Sequence, residues 1–247
     1  MRNRIAQVKN IRKLQRAALS LLQRAPGVPG IGLIWGVAGH GKTTAITWLA
    51  NRPEVNAVYV RATATWSATS MLATIMRELD LEPKPRCAAM VDAIVRQLAR
   101  ENRSLFIDEA DYLLGNPRLI DTARDLHDLS TTPLILIGMK AFQRRAMQKE
   151  QLARRISQWL EFQPADIEDA RVVAEELCEV RVADDLLAHV NRNVAGSIGN
   201  LVTALARIEA WARAEGKKSV DLKDWGDRHL TFSTAPKDDA ARLSAVA

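Results

Sequence analysis

Acidic residues are absent from the first 53 positions of this 247-residue chain. Nine cations stand there unopposed: Arg2, Arg4, Lys9, Arg12, Lys13, Arg16, Arg24, Lys42 and Arg52. Such a stretch suits a polyanion, whose phosphates release counterions when Lys and Arg neutralise them. For residues 2–16 a solvated helix face fits equally, since Ile5, Val8, Ile11 and Leu14 fall at helical spacing with cations between them. Cysteine is scarce too. Cys87 and Cys178 are the whole complement, with neither metal-ligand spacing nor a redox pair, so a disulfide framework is excluded and both are expected as small buried hydrophobes. No apolar run approaches the roughly 20 residues that span a bilayer, and Met1-Arg2-Asn3-Arg4 opens a polar segment rather than a signal-peptide core. The expectation is a cytoplasmic protein with no membrane partner. A hydrophobic content of 47% excludes disorder of the whole and allows a real core.

Against that background, Gly36-Val37-Ala38-Gly39-His40-Gly41-Lys42-Thr43 is a complete GxxxxGK[ST] phosphate-binding loop. Its glycines let the backbone curl round a polyphosphate, with amides and the following helix N-terminus facing the oxygens. Lys42 would reach the β- and γ-phosphates and Thr43 would hold magnesium. Gly30 to Trp35 reads as a buried strand and Thr44 to Ala50 as a helix, the setting the motif requires. Gly36 to Thr44 is therefore the expected nucleotide-binding segment, with the His40 side chain a tolerated variable and its amide the useful group.

Alternation of element types predicts the fold class. Residues 4–24 read as an amphipathic helix closed by Ala25-Pro26-Gly27-Val28-Pro29-Gly30. Further strands are expected at 55–62, 104–109, 133–138 and 158–162, and helices at 67–79, 88–101, 118–129 and 141–157. This is an α/β pattern, a mainly parallel five-stranded sheet covered by helices. Past Pro164 only helical periodicity appears, at 166–180, 183–190 and 197–214, predicting a small α-helical lid without strands. The organisation expected is a basic amino-terminal helix over 1–25, a nucleotide-binding core over 26–164, a lid over 165–235 and a mobile tail over 236–247.

Asp108 and Glu109 close a short apolar strand about 65 residues after the loop, the end of a parallel strand where ligands sit. Asp108 would support magnesium and Glu109 would prepare water as general base. The same acids would also suit a helix N-terminus.

The phosphate loop, Leu105-Phe106-Ile107-Asp108-Glu109-Ala110-Asp111, the fourth strand and the helical lid together resemble an AAA+ ATPase. Within that superfamily the chain is similar to the transposition regulators, the MuB and TnsC-like ATPases, with ExeA-like ATPases as near relatives. The resemblance implies a P-loop AAA+ core, ATP and Mg2+ as cofactors, and ATP-dependent self-association into a helical filament or ring. It also implies double-stranded DNA bound largely without sequence preference, a transposase as partner, and a bacterial host cell. Arg154 and Arg155 stand where related ATPases carry an arginine finger, with Arg144 and Arg145 as weaker candidates. Arg61, Thr63 and Thr65 after the second strand, with Lys84 and Arg86, are the DNA-backbone candidates; an ordinary loop with surface charges fits each as well. Gly138-Met139-Lys140 offers no first sensor, and Gly199-Asn200 replaces the second-sensor arginine, so hydrolysis is expected to be slow and partner-stimulated. An ExeA-like protein-assembly ATPase without DNA binding and a helicase-loader-like ATPase are the alternatives. Trp35, Trp48, Trp159 and Trp211 are expected in the core, whereas Trp66 stays open between core and surface.

Overall fold

A computed structural model describes residues 1–230; the tail expected at 236–247 lies outside them. The chain divides into two compact units, Gln7–Pro164 and Met1–Ala6 with the chain from Ala165 onward.

The first unit begins with α1 (Lys9–Leu22), whose Ile11, Leu14, Ala18 and Leu21 are buried while its cations point outward. It starts five residues later than periodicity suggested. β1 (Ile31–Gly36), α2 (Lys42–Ala50) and β2 (Val58–Arg61) follow, then α3 (Ala68–Glu78), capped by Ser67, and α4 (Cys87–Glu101). β3 (Leu105–Asp108), α5 (Asp111–Leu114), α6 (Pro117–Ser130), β4 (Leu134–Gly138), α7 (Lys140–Gln148), α8 (Glu150–Ala153) and β5 (Ile156–Phe162) complete it. The single helix expected over 141–157 is thus broken at Lys149, whose ψ of 90° is extended, and β5 starts inside the expected helix.

All five strands pair in parallel in the order β2-β3-β4-β1-β5. β3 and β4 are buried along their whole length, as both-face coverage by helices demands. Phe106, Leu33, Ile46, Leu72 and Phe142 are among the largest buried side chains. The order places β1 between β4 and β5, so the carboxyl ends of β1, β3 and β4 share one edge of the sheet. Trp66 and Trp35 pack partly buried against the core. Trp159 departs from expectation: it is 38% exposed on edge strand β5 and meets Trp35 edge-on at 6.2 Å. Cys87 also departs, being exposed at the start of α4, whereas Cys178 is buried.

The second unit holds α9 (Ile167–Leu177), β6 (Arg181–Val182), α10 (Asp184–Asn193), α11 (Ile198–Ala214), β7 (Ser219–Val220) and α12 (Leu222–Trp225). β6 and β7 pair in parallel, a correction to the strand-free expectation. Two-residue strands are too short to carry an alternation signal. Trp211 stacks edge-on against the buried Trp225 at 5.7 Å. Glu209 is 2% exposed, and Arg213 neutralises it at 2.9 Å together with the Met1 amino group.

Candidate nucleotide site

Gly36 ends β1, and a Cβ there would sit 2.8 Å from the Phe162 carbonyl oxygen, so only glycine lets β1 and β5 close together at this point. Residues 37–41 form the turn, with Gly39 at φ 84° and Gly41, the N-cap of α2, at φ 80°. Both lie in the left-handed region that glycine occupies without a Cβ penalty. Val37, Ala38, Thr43 and Thr44 are exposed, and no acid opposes the positive N-terminus of α2 in its first turn. His40 is not the free variable side chain expected. It is buried, and its Nδ1 lies 3.0 Å from the Phe162 carbonyl, which can only accept, so the ring pins the loop to the end of β5.

The Lys42 ammonium donates to the Gly36 and Val37 carbonyls at 2.8 and 3.0 Å and approaches the Met139 thioether at 3.6 Å. Burial lowers its pKa, while Asp108, Glu109 and Asp111 pull it back up. Thr43 donates its hydroxyl to Asp108 Oδ2 at 2.9 Å, joining α2 to β3. Asp108 is 3% exposed, and its Oδ1 accepts the Glu109 amide at 2.8 Å. Glu109 sits at φ 53°, a left-handed position for a residue with a Cβ. Its carboxylate pairs with Arg61 at 3.2 Å, the two side chains being 35% and 63% exposed.

Three further contacts were not foreseen from the sequence. Tyr59 on β2 donates to Asp108 Oδ2 at 3.0 Å, and burial next to that carboxylate pushes its own pKa up to about 12. Asp111 Oδ2 accepts the Met139 amide at 2.9 Å and stands where a Cβ on Gly138 would go. Met139 brings a thioether, a weak acceptor, to 3.6 Å from the Lys42 ammonium. Tyr59 and Arg61 are two apart on one strand and therefore share a face. That spacing was the available signal.

The donor set fits a magnesium-bound nucleoside triphosphate. Thr43 and Asp108 supply hard oxygens, and Lys42 with the α2 amides supplies positive charge. Among the described residues no three His, Cys, Asp or Glu side chains cluster as a metal cage. Mg2+ needs none, since it keeps several waters and is held through one or two carboxylates plus substrate phosphates.

The remaining candidates fall in three places. Arg61, Thr63 and Thr65 are exposed at the carboxyl end of β2, on the phosphate-loop edge. Thr69 and Cys87 lie 3.2 Å apart, bringing the start of α4, and exposed Arg86 beside it, to the start of α3; Lys84 is exposed in the same connection. Arg154 and Arg155 precede β5 at the opposite edge, where the Arg155 carbonyl accepts the Ile31 amide. Six residues of β1 separate that edge from the loop, about 20 Å at about 3.3 Å each. Arg155 is tied down by both Asp128 oxygens at 2.8 Å, whereas Arg154 is 75% exposed and held only by Glu150 on its own turn. Arg145 is spent on the Leu114 carbonyl, and Arg144 is exposed. Gly199 and Asn200 lie in the first turn of α11, where the Ser197 hydroxyl accepts the Asn200 amide.

Comparison with known proteins agrees with this fold. Residues 27–146 match the family model of an AAA domain, just under half of the chain. No curated protein sequence matches the chain at a significant level. Among solved structures, the Aeropyrum pernix Orc2 protein, in ADPNP–ADP complexes, superposes with a TM-score of 0.70 at 19% identity, covering 89% of this chain and 68% of that one. Cdc6p from Pyrobaculum aerophilum gives 0.64 at 17% identity, with 95% and 70% covered. The Aeropyrum pernix Orc1 protein in complex with DNA gives 0.61 at 16%, with 89% and 63% covered. The chain therefore spans about two thirds of these relatives' length. Its fold is that of a P-loop AAA+ α/β core. No described helix is long and apolar enough to cross a membrane.

Proposed function

We propose that this chain is an ATP-dependent, DNA-binding AAA+ ATPase that self-associates on duplex DNA and hands it to a transposase. The observation that carries the reading is the Arg61–Glu109 pair. Glu109 is the base that would polarise water, and it is held by a cation two-thirds exposed at the sheet edge that also carries Thr63 and Thr65. A DNA phosphate that draws Arg61 away frees Glu109, so turnover is slow alone and stimulated by DNA. Bound Mg2+ would neutralise charge building on the transferring phosphoryl group. Lys42 contributes an ammonium that here donates to its own loop carbonyls, and Asp108 fixes the Thr43 hydroxyl.

Arg154 is the finger in this reading. It is some 20 Å from its own loop by strand length, so it can address only the nucleotide of a neighbouring subunit. Nucleotide then acts as an assembly switch. DNA as partner draws support from the likeness to an Orc1 protein solved with DNA. The transposase as recipient rests on the sequence resemblance to MuB and TnsC-like ATPases. The test is ATP turnover by purified protein with and without duplexes of unrelated sequence, beside a Glu109→Gln variant. Expected are stimulation by every duplex, and in the variant intact analogue binding without turnover. Turnover indifferent to DNA, with no DNA binding in any nucleotide state, overturns the reading in favour of a protein-assembly ATPase.

A further inference from the structure

Helix α1 carries four cations, Lys9, Arg12, Lys13 and Arg16, and no acid. At about 100° per residue these four fall within an arc of about 100°, on the side opposite buried Asn10, Ile11, Leu14, Ala18 and Leu21. All four are exposed. Among the described residues no ion pair joins Arg12, Lys13 or Arg16 to an acid. α1 packs on β1, β5 and α2. β1 and α2 contain no acid, and the only one in β5, Glu161, points away from the face on which Gln158 meets Ser20 of α1.

Beside the carboxyl half of α1 runs a groove of 530 Å³. Arg16, Ser20, Arg24, Ser157 and Gln158 line it together with apolar Leu19 and Val28, and no acid does; the donors of Arg24, Ser157 and Gln158 are engaged within the protein. The Arg16 guanidinium opens onto this groove, and with Arg12 and Lys13 it suits the oxygens of a phosphodiester chain.

We infer that the outer face of α1 is a second duplex-DNA surface, which grips the phosphate backbone through Arg12, Lys13 and Arg16. The inference rests on the DNA-binding reading above and adds a surface to it. A lipid surface fits poorly, because an interfacial helix must offer an apolar face and that of α1 is spent on the core. An acidic protein partner fits less well, because protein interfaces are anchored by buried aromatic or aliphatic side chains, and beside Arg12, Lys13 and Arg16 this surface offers only half-buried Leu19 and exposed Val28. Duplex DNA needs no apolar anchor and presents a charge for about every 1.7 Å of axis.

The test is fluorescence anisotropy with a random-sequence duplex, in a non-hydrolysable ATP analogue, over a salt series. It compares the wild type with a triple variant, Arg12→Gln, Lys13→Gln and Arg16→Gln, and with a charge-keeping variant, Arg12→Lys, Lys13→Arg and Arg16→Lys. Each phosphate contact contributes about 0.9 to the slope of log affinity against log salt, so the neutral variant should lose about 2.7 of slope per bound protomer. Across 50 to 200 mM salt that is about a fortyfold smaller loss of affinity than the wild type suffers. The charge-keeping variant should retain the wild-type slope, and analogue binding should be equal in all three. If the triple variant does not fold, the three single Gln variants should each lose about 0.9 of slope. Wild-type duplex binding with an unchanged slope in the neutral variant overturns this surface and leaves the ATPase reading standing. Absence of any wild-type duplex binding overturns both. Loss in the neutral variant of binding to phosphatidylserine vesicles, with duplex binding unaffected, replaces DNA by a lipid surface.

Discussion

Replacing Arg61 by Gln removes the cation that holds Glu109 while leaving the phosphate loop, Thr43 and Asp108 untouched. The pair is 3.2 Å long, with side chains 63% and 35% exposed. Solvent screening at such exposure limits its worth to about 0.2–1 kcal/mol. At 1.36 kcal/mol per tenfold, freeing Glu109 raises the DNA-free rate by up to about fivefold. DNA stimulation should shrink by the same factor, since part of what DNA does has already been done. The assay is steady-state phosphate release at saturating ATP with and without a random duplex, beside Glu109→Gln as the inactive reference. A DNA-free rate in Arg61→Gln that is unchanged, or lowered towards that of Glu109→Gln, refutes the reasoning, because Arg61 would then be supporting hydrolysis rather than restraining it.

Other outcomes follow from particular contacts and burials. Tyr59→Phe removes a donor to Asp108; because the folded pKa of Tyr59 is raised from 10.0 to about 12, the wild type should lose stability between those pH values as the unfolded phenol ionises first. Chemical denaturation across that window should reveal a loss that Tyr59→Phe lacks, and parallel curves would count against the hydrogen bond. Gly36→Ala forces a Cβ to 2.8 Å from the Phe162 backbone oxygen and should cost about 1–3 kcal/mol in urea unfolding along with analogue affinity; a neutral result would deny the close strand approach. Arg154→Ala should leave the melting temperature unmoved yet cut assembled turnover by ~10³, whereas Arg155→Ala, which breaks the Asp128 pair, should lower stability by ~0.5–1 kcal/mol; the reverse assignment of turnover loss would make Arg155 the finger. In native thiol titration only exposed Cys87 should react quickly, since burial pushes the Cys178 thiol up to about 11; two equally fast thiols would contradict that burial.

Elements whose information is local were legible from the sequence. The loop from Gly36 to Thr43 carries its own glycines and sits between an apolar strand and a helix, and five apolar runs gave the five parallel strands. The break at Lys149 was not legible, because neither glycine nor proline marks it and apolar spacing continues through residue 156. The pairing of β6 with β7 escaped for a related reason: it joins residues 38 apart through two-residue strands. In the site, motif spacing pointed to Thr43 and Asp108, which lie 2.9 Å apart. The contacts of Tyr59, Asp111 and Met139 depend on which strands neighbour one another and in what register, a tertiary fact that no single segment encodes. His40 and Cys87 show the same limit in opposite directions. A polar loop residue became buried by one carbonyl bond, and a small apolar thiol was left outside at a helix start.

The central claim, that ATP controls assembly of this chain on DNA, is tested most directly by negative-stain electron microscopy of the purified protein with a long random-sequence duplex, in ADP and in a non-hydrolysable ATP analogue. Filaments or rings along the DNA in the analogue, and bare DNA in ADP, are the predicted result. Bare DNA in both nucleotide states, or equal coverage in both, would contradict it.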